Sequence, residues 1–471
     1  MMLSRRTFVI LACMNLPAPE IFKAYDIRGI VDRTLTVEAV EAIGQAIGSE
    51  AQARGKRAVC IGRDGRISGP ALAQALARGL QKSGADVIDI GRVTTPILYF
   101  ATHHLSTGSG VMVTGSHNPP DYNGLKMMLA GDTLSGDDIQ KLRRRLEAGD
   151  LKRGSGSIRS ENVGLAYLER VTGDIKMKRR MRIAVDCGNG IPGAFAPSLY
   201  GKLGCEVEEL FCEVDGTFPN HHPDPSQPEN LKDLIAALKE GDAEIGLAFD
   251  GDGDRLGVVT KAGKVIFPDR QLMLFAADVL KRNPGAEILF DVKCTRNLAP
   301  WIRKHGGRAT MWKTGHSLIK AKMKETGALL AGEMSGHIFF KERWYGFDDG
   351  LYAGARLLEF LSGVPDINAT LDELPDSVNT PELQIKLKEG ENYALIEKLQ
   401  KAARFPDARE VITIDGLRVE YADGFGLARS SNTTPVVVLR FEADDKAALE
   451  RIQADFRRVL HQAAPAAQLP F

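Results

Sequence analysis

From residue 57 onward, short apolar runs alternate with amphipathic stretches, the pattern of βα units that build a mixed or parallel sheet. Residues 57–61 read as a strand. Ser68 then stands as the cap of a helix over 68–82, with Pro70 in its first turn, where a missing N–H costs nothing. Residues 87–90 and 111–113 follow as strands, and the second leads directly into Thr114-Gly115-Ser116-His117-Asn118-Pro119. A loop at the carboxyl end of a strand is where α/β folds bind ligands. The same grammar returns further on: 183–185 run into Asp186, 245–249 into Asp250 and 288–290 into Asp291, so that each strand ends at an aspartate followed by a polar turn. These stretches are expected to be repeated units. After residue 377 the pattern changes to strand, Asp415-Gly416 turn, strand, Asp423-Gly424 turn, strand and a helix over 444–462, a smaller α+β domain.

A chain of 471 residues exceeds one ordinary core. At roughly 100 to 200 residues per domain it predicts three or four. The pattern changes divide it into a tail over 1–21 and domains over 22–160, 161–264, 265–376 and 377–471. The fold class expected is α/β, with three related units of βαβ-type mixed sheet followed by the smaller α+β domain. Lys plus Arg and Asp plus Glu are equal at 61 each, so no excess positive charge exists to neutralise a nucleic-acid backbone, and nucleic acid is not expected as a partner. The six cysteines are scattered, without a C-x-x-C pair or a histidine at zinc spacing, and read as reduced, mostly buried thiols of a cytoplasmic protein. Arg5-Arg6 before the apolar run 8–12 and Cys13 imitates a short export signal, but five residues fall below the roughly 7 to 15 of a signal core. Met14 offers an ordinary start, so residues 1–13 are expected to be an over-extended start or a tail. No later apolar stretch is long enough to span a membrane.

Asp250-Gly251-Asp252-Gly253-Asp254 is the sharpest chemical signal, because carboxylates at i, i+2 and i+4 in a tight loop converge on one hard cation. An octahedral site with open positions suits Mg2+ that also touches a phosphate. A calcium EF-hand is excluded by Arg255 at the sixth loop position and Lys261 at the twelfth. Two Asp-Gly turns would be the bland alternative, though a turn does not call for three alternating aspartates. Ser116 lies in a polar loop, where alone it would read as an ordinary loop serine; the G-x-S-x-G elbow of hydrolases is absent. Beside a divalent metal, a serine is suited to carry phosphate.

Arg28, Arg63, Arg66, Lys126 and Arg255 sit in glycine-rich loops or near the two motifs, where arginine's planar fork suits phosphate. Gly332-Glu333-Met334-Ser335-Gly336-His337 offers a carboxylate, a hydroxyl and an imidazole to vicinal sugar hydroxyls, and His316 adds a proton acceptor or donor. Arg429-Ser430-Ser431-Asn432-Thr433-Thr434 has the composition of a phosphate nest, and equally that of a hairpin loop.

Taken in order, the motifs at 114–119, 250–255, 332–337 and 429–434 resemble the four signatures of the α-D-phosphohexomutase superfamily, and the resemblance runs from Phe22 to residue 460. It implies four domains around a central cleft, the last clamp-like: a phosphoserine domain, a metal-binding domain, a sugar-binding domain and a phosphate-binding domain. It implies that Ser116 carries the phosphate, that Mg2+ is held by Ser116, Asp250, Asp252 and Asp254, and that Arg28, Lys126, Arg255, His316 and His337 surround the transfer. Tyr25, Lys293, Glu333 and Ser335 then match substrate contacts, and Arg429, Ser431, Asn432 and Thr433 match the binder of the idle phosphate. The implied reaction moves phosphate between O1 and O6 of mannose or glucose phosphates through glucose 1,6-bisphosphate or its mannose counterpart, in a monomer or dimer whose partners are small phosphosugars. Gly115 and Ser430 depart from many relatives without removing a functional group. Three rivals stand beside this reading: a phosphoglucosamine mutase, disfavoured by Met334; a silent phosphosugar-binding protein; and a metal-dependent phosphatase. The mutase reading requires the hydroxyl at 116 and the carboxylates at 250, 252 and 254 to meet around one cation.

Overall fold

The computed structural model of the chain describes residues 16–388, 390–432 and 434–471. The expectations for Thr433 and for 1–15 of the tail therefore fall outside the described residues.

Three α/β sheets repeat one topology. In the first, Asp86–Arg92, Ala58–Arg63, Gly110–Val113 and Tyr122–Leu129 lie side by side. In the second the neighbours are Glu206–Leu210, Arg182–Asp186, Ile245–Phe249 and Leu256–Thr260. In the third they are Arg308–Trp312, Glu287–Asp291, Leu330–Gly332 and Ile338–Phe340. Each time the spatial order is second, first, third, fourth, with the first three strands parallel and the fourth antiparallel. Parallel neighbours need crossovers, and helices supply them: Gly69–Ser83 and Thr95–His104, Ala196–Lys202 and Lys232–Glu240, Leu298–Lys304 and His316–Thr326. Only the third-to-fourth connection is a tight turn, and the motifs at 114–119, 250–255 and 332–337 occupy that turn in the three units.

The topology corrects one grouping made from the sequence. Asp186 and Asp291 close first strands, where Asp64 is their counterpart, whereas Asp250 follows a third strand. First and third strands are both buried central strands, so an apolar run ending at an aspartate looks alike in either position. Ser68 does stand before the helix Gly69–Ser83, but its side chain makes no capping bond. Its Oγ accepts instead from Asn123 Nδ2 at 2.8 Å, because the residue is itself helical and its hydroxyl turns toward the neighbouring strand.

One continuous core runs through all three units: Tyr99, Phe249, Phe340 and Tyr352 belong to the same buried cluster. The fourth sheet is separate. Val436–Ala443 and Gly424–Ser430 form its centre, and the helices Glu391–Ala402 and Lys446–Ala463 cover it. The last helix is capped by Asp445, which accepts from Ala448 N–H at 2.9 Å, and it buries Ala448, Ile452, Phe456, Val459 and Leu460 as one stripe. Its core is its own, and among the described residues only a small apolar patch (Val292 with Phe425 and Leu427) joins it to the third unit. Polar bonds do the rest: Arg418 donates to Val292 O at 2.6 Å and Cys294 O at 2.7 Å, and Glu442 accepts from Thr295 Oγ1 at 2.8 Å. Among the described residues no helix is long and apolar enough to cross a membrane.

Candidate active site

The three equivalent turns meet at one cavity of about 370 Å3, and the fourth domain closes its far side. Ser116 sits at φ +49°, a conformation unusual for a side-chain-bearing residue, so its loop must be held by force. Arg66 supplies it. Fully buried, its guanidinium donates to Ser116 O at 2.9 Å, Asn118 O at 2.5 Å, Pro119 O at 2.5 Å and Tyr122 O at 2.9 Å. A Cβ on Gly115 would lie 2.4 Å from Arg66 Cζ, so the glycine is what admits the guanidinium. Asp64 completes the clamp, accepting from Thr114 Oγ1 at 2.7 Å and Gly115 N–H at 3.2 Å. Asp291 does the equivalent service for the third unit, accepting from Met334 N–H at 3.1 Å and Thr314 Oγ1 at 2.8 Å.

Ser116 and the acidic trio do meet. Ser116 Oγ donates to Asp250 Oδ2 at 2.9 Å across 134 residues of sequence. The two loops touch backbone to backbone: a Cβ on Gly251 would come within 2.4 Å of Ser116 O. Asp250, Asp252 and Asp254 are all buried, with carboxylate oxygens within 4.8 Å of one another. Lys126 Nζ donates to Asp252 Oδ2 at 2.7 Å and Asp254 Oδ2 at 2.5 Å, and Thr95 Oγ1 to Asp252 Oδ2 at 2.5 Å. Burial alone would lower the Lys126 pKa, but Asp252 and Asp254 outweigh it and hold the ammonium above its ordinary value. Burial, then the like charges of Asp252 and Asp254, push Asp250 well above the usual carboxylate range. Asp252 Oδ1 and Asp254 Oδ1 are buried with no hydrogen-bond partner. Hard oxygen donors, crowded like charges and orphaned buried oxygens together fit a cation such as Mg2+.

Around this centre stand the other residues singled out in the sequence, except Arg63, which lies at the end of its strand in a separate surface pocket with Asp89 and Arg92. Arg28 is paired to Asp26 at 2.5 Å and donates to Asn118 in the serine loop. Arg255 Nε donates to His337 Nε2 at 3.1 Å, and His337 Nδ1 lies 3.0 Å from Asp348 Oδ2. His316 packs against Tyr25, ring centroids 5.3 Å apart, and burial first, then Lys320, pushes its pKa well below 6.5. Glu333 Oε1 accepts from Gly315 N–H at 2.5 Å, Ser335 Oγ reaches Glu333 Oε2 at 3.5 Å, and burial raises the Glu333 pKa. At the opposite wall, Lys293 pairs with Glu382 at 2.6 Å, Arg429 Nε donates to Asp415 Oδ2 at 3.0 Å, and Ser431 Oγ lies 3.0 Å from Thr434 Oγ1. Tyr25, Arg28, Ser116, Lys126, Arg255, Lys293, His316, Glu333, Ser335, His337, Arg429, Ser431 and Asn432 all line the one cavity, with the acidic trio beneath it. Sequence reasoning passed over Asp64, Thr95, His117, Asp348 and Glu382, and read Arg66 as one loop cation among several. Asp64 was within reach, since it follows a strand as Asp186 and Asp291 end theirs, and His117 stands inside the serine motif itself; nothing in the local sequence marks Thr95, Asp348 or Glu382.

A hydroxyl against three buried carboxylates, ringed by lysine, arginines and histidines, has the make-up of a phosphoryl-transfer centre, here at the junction of three repeated α/β units and a fourth domain. Family models for phosphoglucomutase/phosphomannomutase match the whole body of the chain: alpha/beta/alpha domain I over 19–153, domain II over 166–263, domain III over 267–378 and the C-terminal domain over 382–459. The chain belongs to the phosphoglucomutase/phosphomannomutase family and is a phosphohexomutase, an isomerase. It is 63% identical over 447 residues to a phosphoglucomutase of Neisseria gonorrhoeae, covering 94% of this chain and 96% of that one. It is 57% identical over 458 residues to a phosphomannomutase/phosphoglucomutase of Pseudomonas aeruginosa PAO1, covering 97% and 98%. Among solved structures, a phosphoglucomutase/phosphomannomutase family protein of Burkholderia thailandensis superposes with a TM-score of 0.92 at 60% identity, covering 96% of this chain and all of that one.

Proposed function

We propose that the enzyme interconverts the 1- and 6-phosphates of glucose and mannose, with Ser116 as phosphoryl carrier and glucose 1,6-bisphosphate or its mannose counterpart as intermediate and activator. The observation that carries this is the 2.9 Å approach of Ser116 Oγ to Asp250 Oδ2 beneath a cation-lined cavity. Mg2+ held by Asp250, Asp252, Asp254 and Ser116 supplies neutralisation of phosphoryl charge during transfer. Phosphorylated Ser116 meets the free hydroxyl of a hexose phosphate; the new P–O bond forms at that oxygen as the bond to Ser116 Oγ breaks, and the hydroxyl proton passes to the neutral His316 imidazole, with His337 held beside it by Arg255. Lys126, Arg28 and Arg255 stabilise the equatorial phosphoryl oxygens. Glu333 and Ser335 hold the ring hydroxyls, Tyr25 packs beside them, and Lys293, Arg429, Ser431, Asn432 and Thr433 hold the idle phosphate. The bisphosphate then turns around, returns its other phosphate to Ser116 and takes the proton back.

The names of the relatives, phosphoglucomutase and phosphomannomutase/phosphoglucomutase, support glucose and mannose over glucosamine. The domain divisions near 160, 264 and 376, a monomeric state and a cytoplasmic setting belong to the same proposal; the five described cysteines, all free thiols, agree with a reducing compartment. The test is a panel of glucose, mannose and glucosamine phosphates assayed with Mg2+ and a trace of glucose 1,6-bisphosphate, with intact mass read before and after. Glucose and mannose turnover with one added phosphate on the chain is the expected result. Turnover of glucosamine phosphate alone, or net release of inorganic phosphate, would refute it.

A further inference from the structure

We infer that Asp415 is a positioning residue that couples the phosphate-binding wall of the cavity to the sugar-binding turn across the boundary between the third and fourth units. This rests on the phosphohexomutase reading, in which Arg429 meets phosphate and Glu333 meets sugar hydroxyls. One carboxylate oxygen has two duties: Asp415 Oδ2 accepts from Arg429 Nε–H at 3.0 Å and from Thr314 N–H at 2.9 Å, while Oδ1 lies 3.4 Å from Arg429 Nη2. Nη1 is not spent on Asp415, and Arg429 lines the cavity. The carboxylate therefore fixes the plane in which the guanidinium fork faces an incoming phosphate.

From Thr314 the chain of bonds continues into the sugar turn by two routes. Thr314 Oγ1 donates to Asp291 Oδ2 at 2.8 Å, and Asp291 Oδ1 accepts from Met334 N–H at 3.1 Å. The next residue, Gly315, donates its N–H to Glu333 Oε1 at 2.5 Å. Both routes end at adjacent residues of one turn. The mount is rigid at the other end too: Gln400 Nε2 donates to Gly416 O at 2.6 Å, and Arg418, two residues further, grips Val292 O and Cys294 O at 2.6 and 2.7 Å. The hairpin turn that carries Asp415 is thus the wedge by which the fourth unit docks on the third. A phosphate drawn to Arg429 bears on the same carboxylate that orders the backbone at 314–315, and through it on Glu333. Burial opposes the charge on Arg429, and Asp415 more than offsets that, holding its pKa above the ordinary value.

A double-mutant cycle tests the coupling. In the non-transferring Ser116→Ala enzyme with Mg2+, glucose 1-phosphate affinity is measured by calorimetry for Asp415→Asn, Glu333→Gln and the pair. Each single change is expected to weaken binding about tenfold or more, as losses of charged hydrogen bonds do. The pair should lose less than the product of the two, by about fivefold or more, since residues in one network fail to add whereas independent ones do not. Asp415→Glu, which keeps the charge, should recover part of the affinity and serves in the same cycle if the asparagine variant does not fold. Strictly multiplicative losses, or equal losses with Asn and Glu, overturn the coupling and leave the mutase reading intact. Absence of any glucose 1-phosphate binding by Ser116→Ala overturns both.

Discussion

The two ends of the cavity are built to different rules. At the serine end, Ser116, Lys126, Asp250, Asp252 and Asp254 are at most 3% exposed, and every loop there is tied to another by buried bonds. That end belongs to a body whose three units, besides clusters of their own, are joined by one large hydrophobic core. At the end proposed to hold the idle phosphate, Arg429, Ser431 and Asn432 ride on a sheet with a separate core, joined to the body by a small apolar patch and a handful of polar bonds. In-line phosphoryl transfer tolerates little misplacement of the reacting atoms, whereas a bisphosphate that turns around needs a clamp able to let go and re-engage. Apolar cores resist small displacements; a boundary with little apolar area can part once water enters to satisfy its polar groups, and closes again when their mutual bonds re-form.

The contrast can be broken hardest at the serine end. Ser116→Ala is expected to lower kcat by more than about 10^4-fold, the scale of removing an essential nucleophile, with no phosphate added in intact mass after glucose 1,6-bisphosphate. Removing the divalent ion by chelation should abolish turnover to the same degree, restored on adding Mg2+. Next in size is Arg66→Leu, which strips the clamp from a strained loop without touching substrate. It should cost about 3 kcal/mol in stability by urea titration and reduce kcat at least about a hundredfold, because four loop carbonyls lose their donor. His316→Gln should cost about 10^2-fold in kcat. In the parent enzyme the lowered His316 pKa means that the ring is neutral at pH 7, so the rate should stay level from pH 8 to 6.5 and fall only in more acid solution.

At the phosphate end, Arg429→Lys should raise KM by about tenfold and leave kcat within about twofold, the mark of lost uniform binding. An equal fall in kcat would mean that the two ends are not separable as described. The smallest effect concerns the body alone. Burial pushes Asp349 up to about 7, although it accepts from Tyr167 Oη at 2.9 Å and Tyr352 N–H at 2.9 Å. A raised carboxyl binds more protons folded than unfolded, so its contribution to stability is present in acid and is lost as pH rises from about 4 to 7. Asp349→Asn should therefore stabilise the body at pH 8 by on the order of 2 kcal/mol, and flatten its pH dependence, without moving any separate transition of the fourth domain.

Much of this was legible in the chain itself. Apolar runs ending in polar turns marked the strands, and the spacing of Asp250, Asp252 and Asp254 marked a cation site because a five-residue loop leaves their carboxylates nowhere else to converge. Ser116 was legible only in company, since a loop serine alone carries no chemistry. Asp64 and Asp291 could have been paired as first-strand ends, but the reading ranked Asp250 with Asp186 and Asp291 because first and third strands share one hydrophobic signature.

Local sequence determined the elements, the turn chemistry and which groups are candidates to react, since these depend on neighbours within a few residues. Only the folded chain decided that three equivalent turns face one cavity, that Arg66 answers four carbonyls fifty or more residues away, and that Asp415 stands between Arg429 and Thr314. Burial makes such long-range polar bonds obligatory, because a desolvated charge without a partner is too costly to keep, and which partner answers is set by packing rather than by position along the chain.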